Sequence, residues 1–392
     1  MLRKFSERKF YVAARGICTV ASLILALIYS QDLGLINRSI LAFVMTVNAL
    51  SWILLTSGST LTLRKLGANS DLRNHLPSFV SLYLMQAILV TTICVALIQI
   101  YSGVKVNLPI TLFWTSLVYV LCSGMHLFSI EVLTAMKRFR LVGWLEILTI
   151  FLQFILYFSF KNFTDISIAI GLFLSISLSY AVIFQASLFI TIKGNDGMFK
   201  LEDPGHFWRQ TRGNHSLGPV FGIMDRSDRV LIGFFLATPV LGAYAVSSSL
   251  ITMVRFIPDT LARILIARPD WRLSIPKRGK AITIIFITVI VLSFIELTKT
   301  FISGFLGPEW LIPYFIYVLM AIQELLRGWY QIEANRLIAQ GLSVPVHKTN
   351  ILVPVLALIM CSLSIQQFGL IAAPITFSAG YLIGLWSLGK LK

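Results

Sequence analysis

Charge is scarce in this chain. Only 13% of its 392 residues are Asp, Glu, Lys or Arg, against about a quarter in soluble globular domains. Acid is the scarcer sign, with 17 Asp and Glu against 33 Lys and Arg. No charged stretch longer than about 25 residues interrupts the apolar segments, so a separate soluble domain is excluded. Cysteine is nearly absent: Cys18, Cys94, Cys122 and Cys361 sit in apolar runs without metal-ligand spacing. They read as small buried hydrophobes, and they say nothing about redox compartment. His, Cys and carboxylates nowhere adopt a metal-binding spacing, and no Gly-rich phosphate loop precedes a helix. Without a nucleotide motif, energy for any transport comes from a gradient or from the disposition of the cargo. Outward loops are short; the one at 237–239 is "ATP". A glycan polymerase or ligase with a large catalytic outer loop is therefore a poor fit, and nothing resembles a channel filter. The chain is read as a non-enzyme with no metal and no bound cofactor.

What is abundant is apolar surface: 57% of residues, with mean hydropathy +0.82. A helix needs about 20 apolar residues to cross the hydrocarbon core. Twelve segments qualify, near 11–30, 35–60, 78–101, 109–135, 141–159, 166–192, 216–237, 240–266, 281–304, 311–335, 350–366 and 369–388. The eleventh is the shortest. The basic start, "MLRKFSERKF", runs into an apolar stretch without a small-residue cleavage site, which points to a retained first helix. The expected fold class is an all-α polytopic membrane protein.

Basic residues set the expected orientation. With the N-terminus in the cytoplasm, 23 of the 33 Lys and Arg fall on cytoplasmic ends and loops. Four (Arg38, Lys105, Lys161 and Lys299) fall on the other side, and six lie within segments. The positive-inside rule then places both termini in the cytoplasm and fixes an even helix count. The same asymmetry accounts for a net charge of +16. Spread thinly over seven cytoplasmic pieces, it suits anionic lipid headgroups better than nucleic acid. The longest connection, "KGNDGMFKLEDPGHFWRQTRGNHS" at 193–216, divides the chain into an N-terminal half (1–195), a cytoplasmic linker (196–215) and a C-terminal half (216–392). At an offset of 208, "DLGL" (32–35) meets "VLGA" (240–243), a faint sign of a parallel repeat.

The seventh segment carries charge where lipid is expected. "FGIMDRSDRVLIGFFL" (221–236) contains Asp225, Arg226, Asp228 and Arg229. At about 100° per residue they share an arc of about 160°, and Ser227 points the other way. Four charges at a helix centre cost about 10–14 kcal/mol, while ten Leu, Ile, Val and Phe return only about 3–6 kcal/mol. That arc must face other helices or water. Arg255, Asp259 and Arg263 form a second stripe at i, i+4 and i+8, with Arg263 near enough to the cytoplasmic end to snorkel. Glu324 and Arg327 lie at i, i+3 on the tenth segment, and Arg15 sits a turn inside the first. Glu131 and Glu146 flank the cytoplasmic turn between the fourth and fifth segments, and Glu296 lies in the ninth. Two readings stand side by side: Asp225 and Arg229 as an i, i+4 pair that locks helices, or the cluster as the lining of a polar path. For Arg15, Arg263, Glu131 and Glu146, snorkelling or loop pairing is the plainer role, and His126 reads as a packing residue.

Several stretches resemble the polysaccharide (O-antigen type) flippases of the multidrug/oligosaccharidyl-lipid/polysaccharide (MOP) exporter superfamily. "SDRVLIGFFLATPVLGAYAVSSSLI" (227–251) is similar to that family's seventh-to-eighth helix junction, with Asp228, Gly233, Gly242 and Tyr244 in the matching places. "FISGFLGPEWLIPYFIYVLMAIQELLRG" (301–328), "RLIAQGLS" (336–343), "FGLIAAPITFSAGYLIGLW" (368–386) and "SQDLGLINRSILAFVMTVNALSWILLTSGSTLTLRKLGA" (30–68) resemble its motifs in order. "DRSD" is more charged than is usual there. The resemblance implies two six-helix lobes around a central cavity that opens alternately to either side. It implies a cargo of undecaprenyl-diphosphate-linked oligosaccharide, moved from the cytoplasmic to the periplasmic leaflet of a bacterial inner membrane, with glycan polymerase and glycosyltransferase machinery as partners. Arg226, Arg229, Arg255 and Arg327, with Arg15 behind them, are then expected to pair with the diphosphate. Asp225, Asp228, Asp259 and Glu324 are expected to bind sugar hydroxyls or to couple H+ or Na+. Two rivals stay open: a drug or metabolite exporter of the same superfamily, and a non-transporting scaffold for glycan synthesis.

Overall fold

A computed structural model describes residues 2–68, 72–192, 203–211, 219–255, 277–339 and 343–390. Every regular element among them is helical. That follows from the medium: in hydrocarbon each backbone N–H and C=O must be satisfied within its own segment. The helices are α1 (Leu2–Ala68), α2 (Leu72–Lys105), α3 (Ile110–Ala135), α4 (Phe139–Phe163), α5 (Ile168–Ile192), α6 (Pro204–Thr211), α7 (Pro219–Phe235), α8 (Thr238–Ile251), α9 (Lys277–Phe305), α10 (Tyr314–Ala339), α11 (Ser343–Phe368) and α12 (Ala372–Gly389). Short 3-10 turns at Thr252–Arg255, Pro308–Trp310 and Gly369–Ile371 punctuate the second half.

The first two expected segments are one continuous helical run, α1, broken at Gly34. There φ is 68° and ψ 173°, a conformation open essentially to glycine alone. Among the described residues, six stretches are long and apolar enough to cross a bilayer, two of which, Phe10–Thr56 and Ile351–Gly389, each hold two rods. α3, α4 and α5, at 25 or 26 residues, span about 37–39 Å. α7 has 17 residues and α8 only 14.

The eleventh segment departs from expectation. α11 begins at Ser343 and runs 26 residues, because the polar run His347–Asn350 hides its first turns from a hydropathy reading. Within the expected cytoplasmic linker stands α6, an eight-residue helix whose Phe207 is fully buried against Phe79 of α2, ring centroids 5.5 Å apart. The offset of 208 does not relate equivalent places: Gly34 lies at a bend, whereas Gly242 lies inside α8.

The chain forms two compact units. One comprises residues 1–33 and 44–222; the other comprises 34–43 and 223–392. In the first, α5 packs against α3 and α4. Tyr119 meets Phe173 there, and His126 stacks on Tyr180 at 4.5 Å. In the second, α12 packs against α10 and α11, with Tyr330 beside Tyr381 and Gly384. Large apolar side chains also stand outside on both units. Phe189 is 70% and Leu363 73% exposed, the surface of a protein whose solvent is lipid. Cys94 and Cys361 are buried free thiols.

Candidate functional site

The ionic cluster lies in the second unit, on α7. α8 begins with Thr238–Pro239, where the missing proline N–H falls among the donors that a helix start leaves unpaired. The Leu-Gly-Ala-Tyr-Ala sequence then gives α8 small residues that let its neighbours approach. Leu241, Gly242, Ala243, Tyr244 and Ala245 are all buried. A Cβ placed on Gly242 would stand 2.5 Å from the Leu35 carbonyl oxygen. The hydroxyl of Ser39 donates to the Thr238 carbonyl and to that of Leu35. Phe43 packs edge-on against Phe234 at 5.2 Å and lies 2.9 Å from where a Gly233 Cβ would be. Residues 34–43 are thereby fastened to the α7–α8 turn.

α7 is embedded more deeply than one polar arc requires. Asp228 is 4% exposed, and Ser227, expected to point the other way, is buried as well. Contacts close in on both sides of the helix at this level. Asp228 accepts from the Tyr244 hydroxyl at Oδ2, 2.7 Å away, and from the backbone N–H of Arg229 at Oδ1, also 2.7 Å. Its carboxylate also acts electrostatically on the Cys361 thiol of α11. One turn along α8, Ser247 donates to the Tyr317 hydroxyl of α10 at 3.2 Å. Asp228 is therefore a node that joins α7 to α8.

Arg229 is half-buried, and its Nε is buried without a hydrogen-bond partner among the described residues. Arg226 is half-buried on the same helix, and Ile232 and Gly233 continue the buried stripe toward its end. Arg327, 4% exposed, and half-buried Glu324 occupy α10 of the same unit. For Asp225 and Arg255 only the helical backbone position is described, and Asp259 and Arg263 lie outside the described residues.

Arg15 belongs to the first unit. Its Nε stands 3.7 Å from Glu146 Oε1, its side chain 48% exposed, and its guanidinium lies 5.7 Å from the Tyr11 ring. Glu131, in α3, is buried. Glu296 and Lys299 pair at 3.5 Å on α9, with Lys299 over the Tyr314 ring. A further polar knot ends the first rod of α1: Asp32 accepts two 2.8 Å contacts from Lys161 Nζ and a hydrogen bond from the Tyr157 hydroxyl. Among the described residues, no three His, Cys, Asp or Glu are grouped to hold a metal.

Arg38 is the residue that sequence reasoning missed. Counted there with the outward charges, it is 6% exposed within the second unit, its Nε lacking a hydrogen-bond partner among the described residues. Its one available signal was its place as the fourth residue of the 35–60 segment.

No family model matches the chain, and no curated protein does. Solved structures do. The lipid II flippase MurJ, in an inward closed conformation, superposes with a TM-score of 0.74 over 96% of this chain and 86% of its own, at 14% identity. An inward-facing MATE multidrug resistance transporter of the MOP superfamily gives 0.66 over 95% and 94%, at 12% identity. The Vibrio cholerae MATE transporter VcmN gives 0.64 over 100% and 97%, at 15% identity. This chain has the MOP-superfamily fold. At these identities the likeness is one of architecture, and the MOP fold is shared by a flippase and by drug transporters. What separates such functions is the chemistry of particular side chains.

Proposed function

We propose that this protein is a membrane transporter of the flippase type. Its cargo is a polyprenyl-diphosphate-linked oligosaccharide, an O-antigen, capsule or exopolysaccharide repeat unit, carried from the cytoplasmic to the periplasmic leaflet by alternating access. The observation that carries this reading is Arg229, a guanidinium with a buried, unbonded Nε on a helix of a MOP-fold chain. A cation kept in such surroundings costs several kcal/mol unless an anion joins it, and a diphosphate is the anion whose geometry suits guanidinium forks.

In this reading Arg226, Arg229, Arg255 and Arg327 serve the diphosphate. Asp225, Asp259 and Glu324 serve sugar hydroxyls or a coupling H+ or Na+. Asp228, with both oxygens already accepting bonds from the chain, holds α7 against α8. Arg15, paired with Glu146, has a supporting role. The protein resides in a bacterial inner membrane with both termini cytoplasmic, where basic loops meet anionic lipid. Glycosyltransferases supply the cargo and a polymerase consumes it.

The MATE likeness favours one alternative, export of a drug or metabolite. Deletion separates the two. A flippase deletion lowers surface glycan and raises lipid-linked oligosaccharide extractable from the cells, with drug sensitivity unchanged. A sensitised strain with normal surface glycan is the outcome that rejects the flippase and adopts the exporter.

A further inference from the structure

We propose that Asn48, Trp52 and His126 form a seat for a sugar hydroxyl inside the first unit. Each carries a buried polar atom with no hydrogen-bond partner among the described residues: Asn48 Oδ1, Trp52 Nε1 and His126 Nδ1. Asn48 and Trp52 are each 4% exposed. A buried polar atom left without a bond forfeits what water would have given it, so such atoms are few in folded proteins.

Printed contacts gather the three on one stretch of α3. Asn48 Nδ2 donates to the Ser123 hydroxyl across 2.8 Å. That hydroxyl gives its own proton to the Val120 carbonyl, 2.9 Å away. Its oxygen therefore accepts from Asn48, and the amide is held with Oδ1 turned elsewhere. Trp52 follows Asn48 by one helical turn, on the same face of α1. Its indole reaches the next residue of α3: Cε2, the atom bonded to Nε1, lies 2.8 Å from where a Gly124 Cβ would be. Stacking on Tyr83 at 5.2 Å fixes the indole, and Tyr83 itself donates to the Gly124 carbonyl across 2.9 Å. His126 stands one turn beyond Ser123, against Tyr180 of α5.

The partial exposure of this stretch is not toward lipid. The exposed apolar stripe of α3 is Trp114, Val118, Leu121 and Met125. Ser123 and His126 are half-buried and lie about 110–170° round the helix from that stripe. An amide oxygen, an indole N–H and an imidazole nitrogen call for a group that both donates and accepts. A hydroxyl does both; an ionised phosphate or carboxylate only accepts. A bound water shares that chemistry, and the experiment separates the two. That the hydroxyl belongs to a sugar rests on the transport reading. The seat adds uncharged partners for the carbohydrate, which a search for charge passes over.

The full chain in phosphatidylcholine nanodiscs tests this with two lipids that differ only in the sugar: undecaprenyl diphosphate and undecaprenyl diphosphate N-acetylglucosamine. Relative affinity is read by native mass spectrometry. The wild type is expected to hold the sugar-bearing lipid about tenfold more tightly than the bare one. Asn48→Leu and Trp52→Phe are each expected to reduce that preference about threefold or more, with binding of the bare lipid unchanged. Trp52→Phe keeps the stacked ring and removes only the N–H, so it serves if Asn48→Leu aggregates on size exclusion. A wild type without the preference, or variants that retain it while their unfolding midpoint falls, means a water or packing role and overturns the seat. Binding of neither lipid by the wild type overturns the transport reading, and the seat with it.

Discussion

The hydroxyl of Tyr244 donates to Oδ2 of Asp228 across 2.7 Å, and both side chains are buried. Tyr244→Phe removes the donor and leaves a buried carboxylate oxygen short of one bond, a loss of about 1–3 kcal/mol. The expected result is a lower thermal-unfolding midpoint for the purified protein. Asp228→Asn retains an acceptor oxygen and is expected to be milder than Asp228→Ala, which also opens a void.

Gly34→Ala isolates a purely backbone effect. Nothing lies within 4 Å of the added methyl, yet φ stays at 68°. The strain is about 1–3 kcal/mol, and it is expected to appear as reduced stability without any steric signature. Far-ultraviolet circular dichroism is expected to be unchanged while the unfolding midpoint falls.

Gly242→Ala tests the opposite cause, space without backbone strain. The new methyl meets the Leu35 carbonyl at 2.5 Å and the Ser39 hydroxyl at 2.9 Å. Overpacking of this kind costs about 1–3 kcal/mol, and here it pushes residues 34–43 off α8. A cysteine pair at Phe43 and Phe234, whose rings meet at 5.2 Å, is expected to cross-link less efficiently when Gly242→Ala is added.

Arg15 and Arg229 are expected to part company. The Arg15–Glu146 pair is loose at 3.7 Å and half exposed, and such pairs contribute about 0–1 kcal/mol. Arg15→Gln is expected to leave surface glycan near the wild-type level. Arg229→Gln, with comparable membrane insertion, is expected to reduce it by about tenfold or more.

Much of the architecture was legible because lipid imposes one rule on every segment. The apolar runs at 109–135 and 166–192 correspond to Ile110–Ala135 and Ile168–Ile192 almost to the residue. What periodicity could not show was tertiary. A hydropathy reading passes over Ser343–Asn350 because helix propensity there is masked by polar side chains. It passes over α6 because eight residues with one buried anchor, Phe207, look like linker. Arg38 was counted outward by sorting the basic residues between segments, and its 6% exposure comes from packing that a sequence does not display. The charges on α7 were legible because their cost in lipid is large. That Asp228 faces Tyr244, and that Ser227 is buried too, depends on which neighbours surround the helix.

Translocation itself tests the central claim most directly. The full chain is reconstituted in liposomes with a polyprenyl-diphosphate oligosaccharide whose sugar carries a fluorophore, and a membrane-impermeant quencher reports the fraction left in the outer leaflet. Flippase activity predicts that the label equilibrates between leaflets with wild-type protein far faster than in protein-free liposomes, and that Arg229→Gln abolishes the gain. Equal exchange with and without the protein would contradict it.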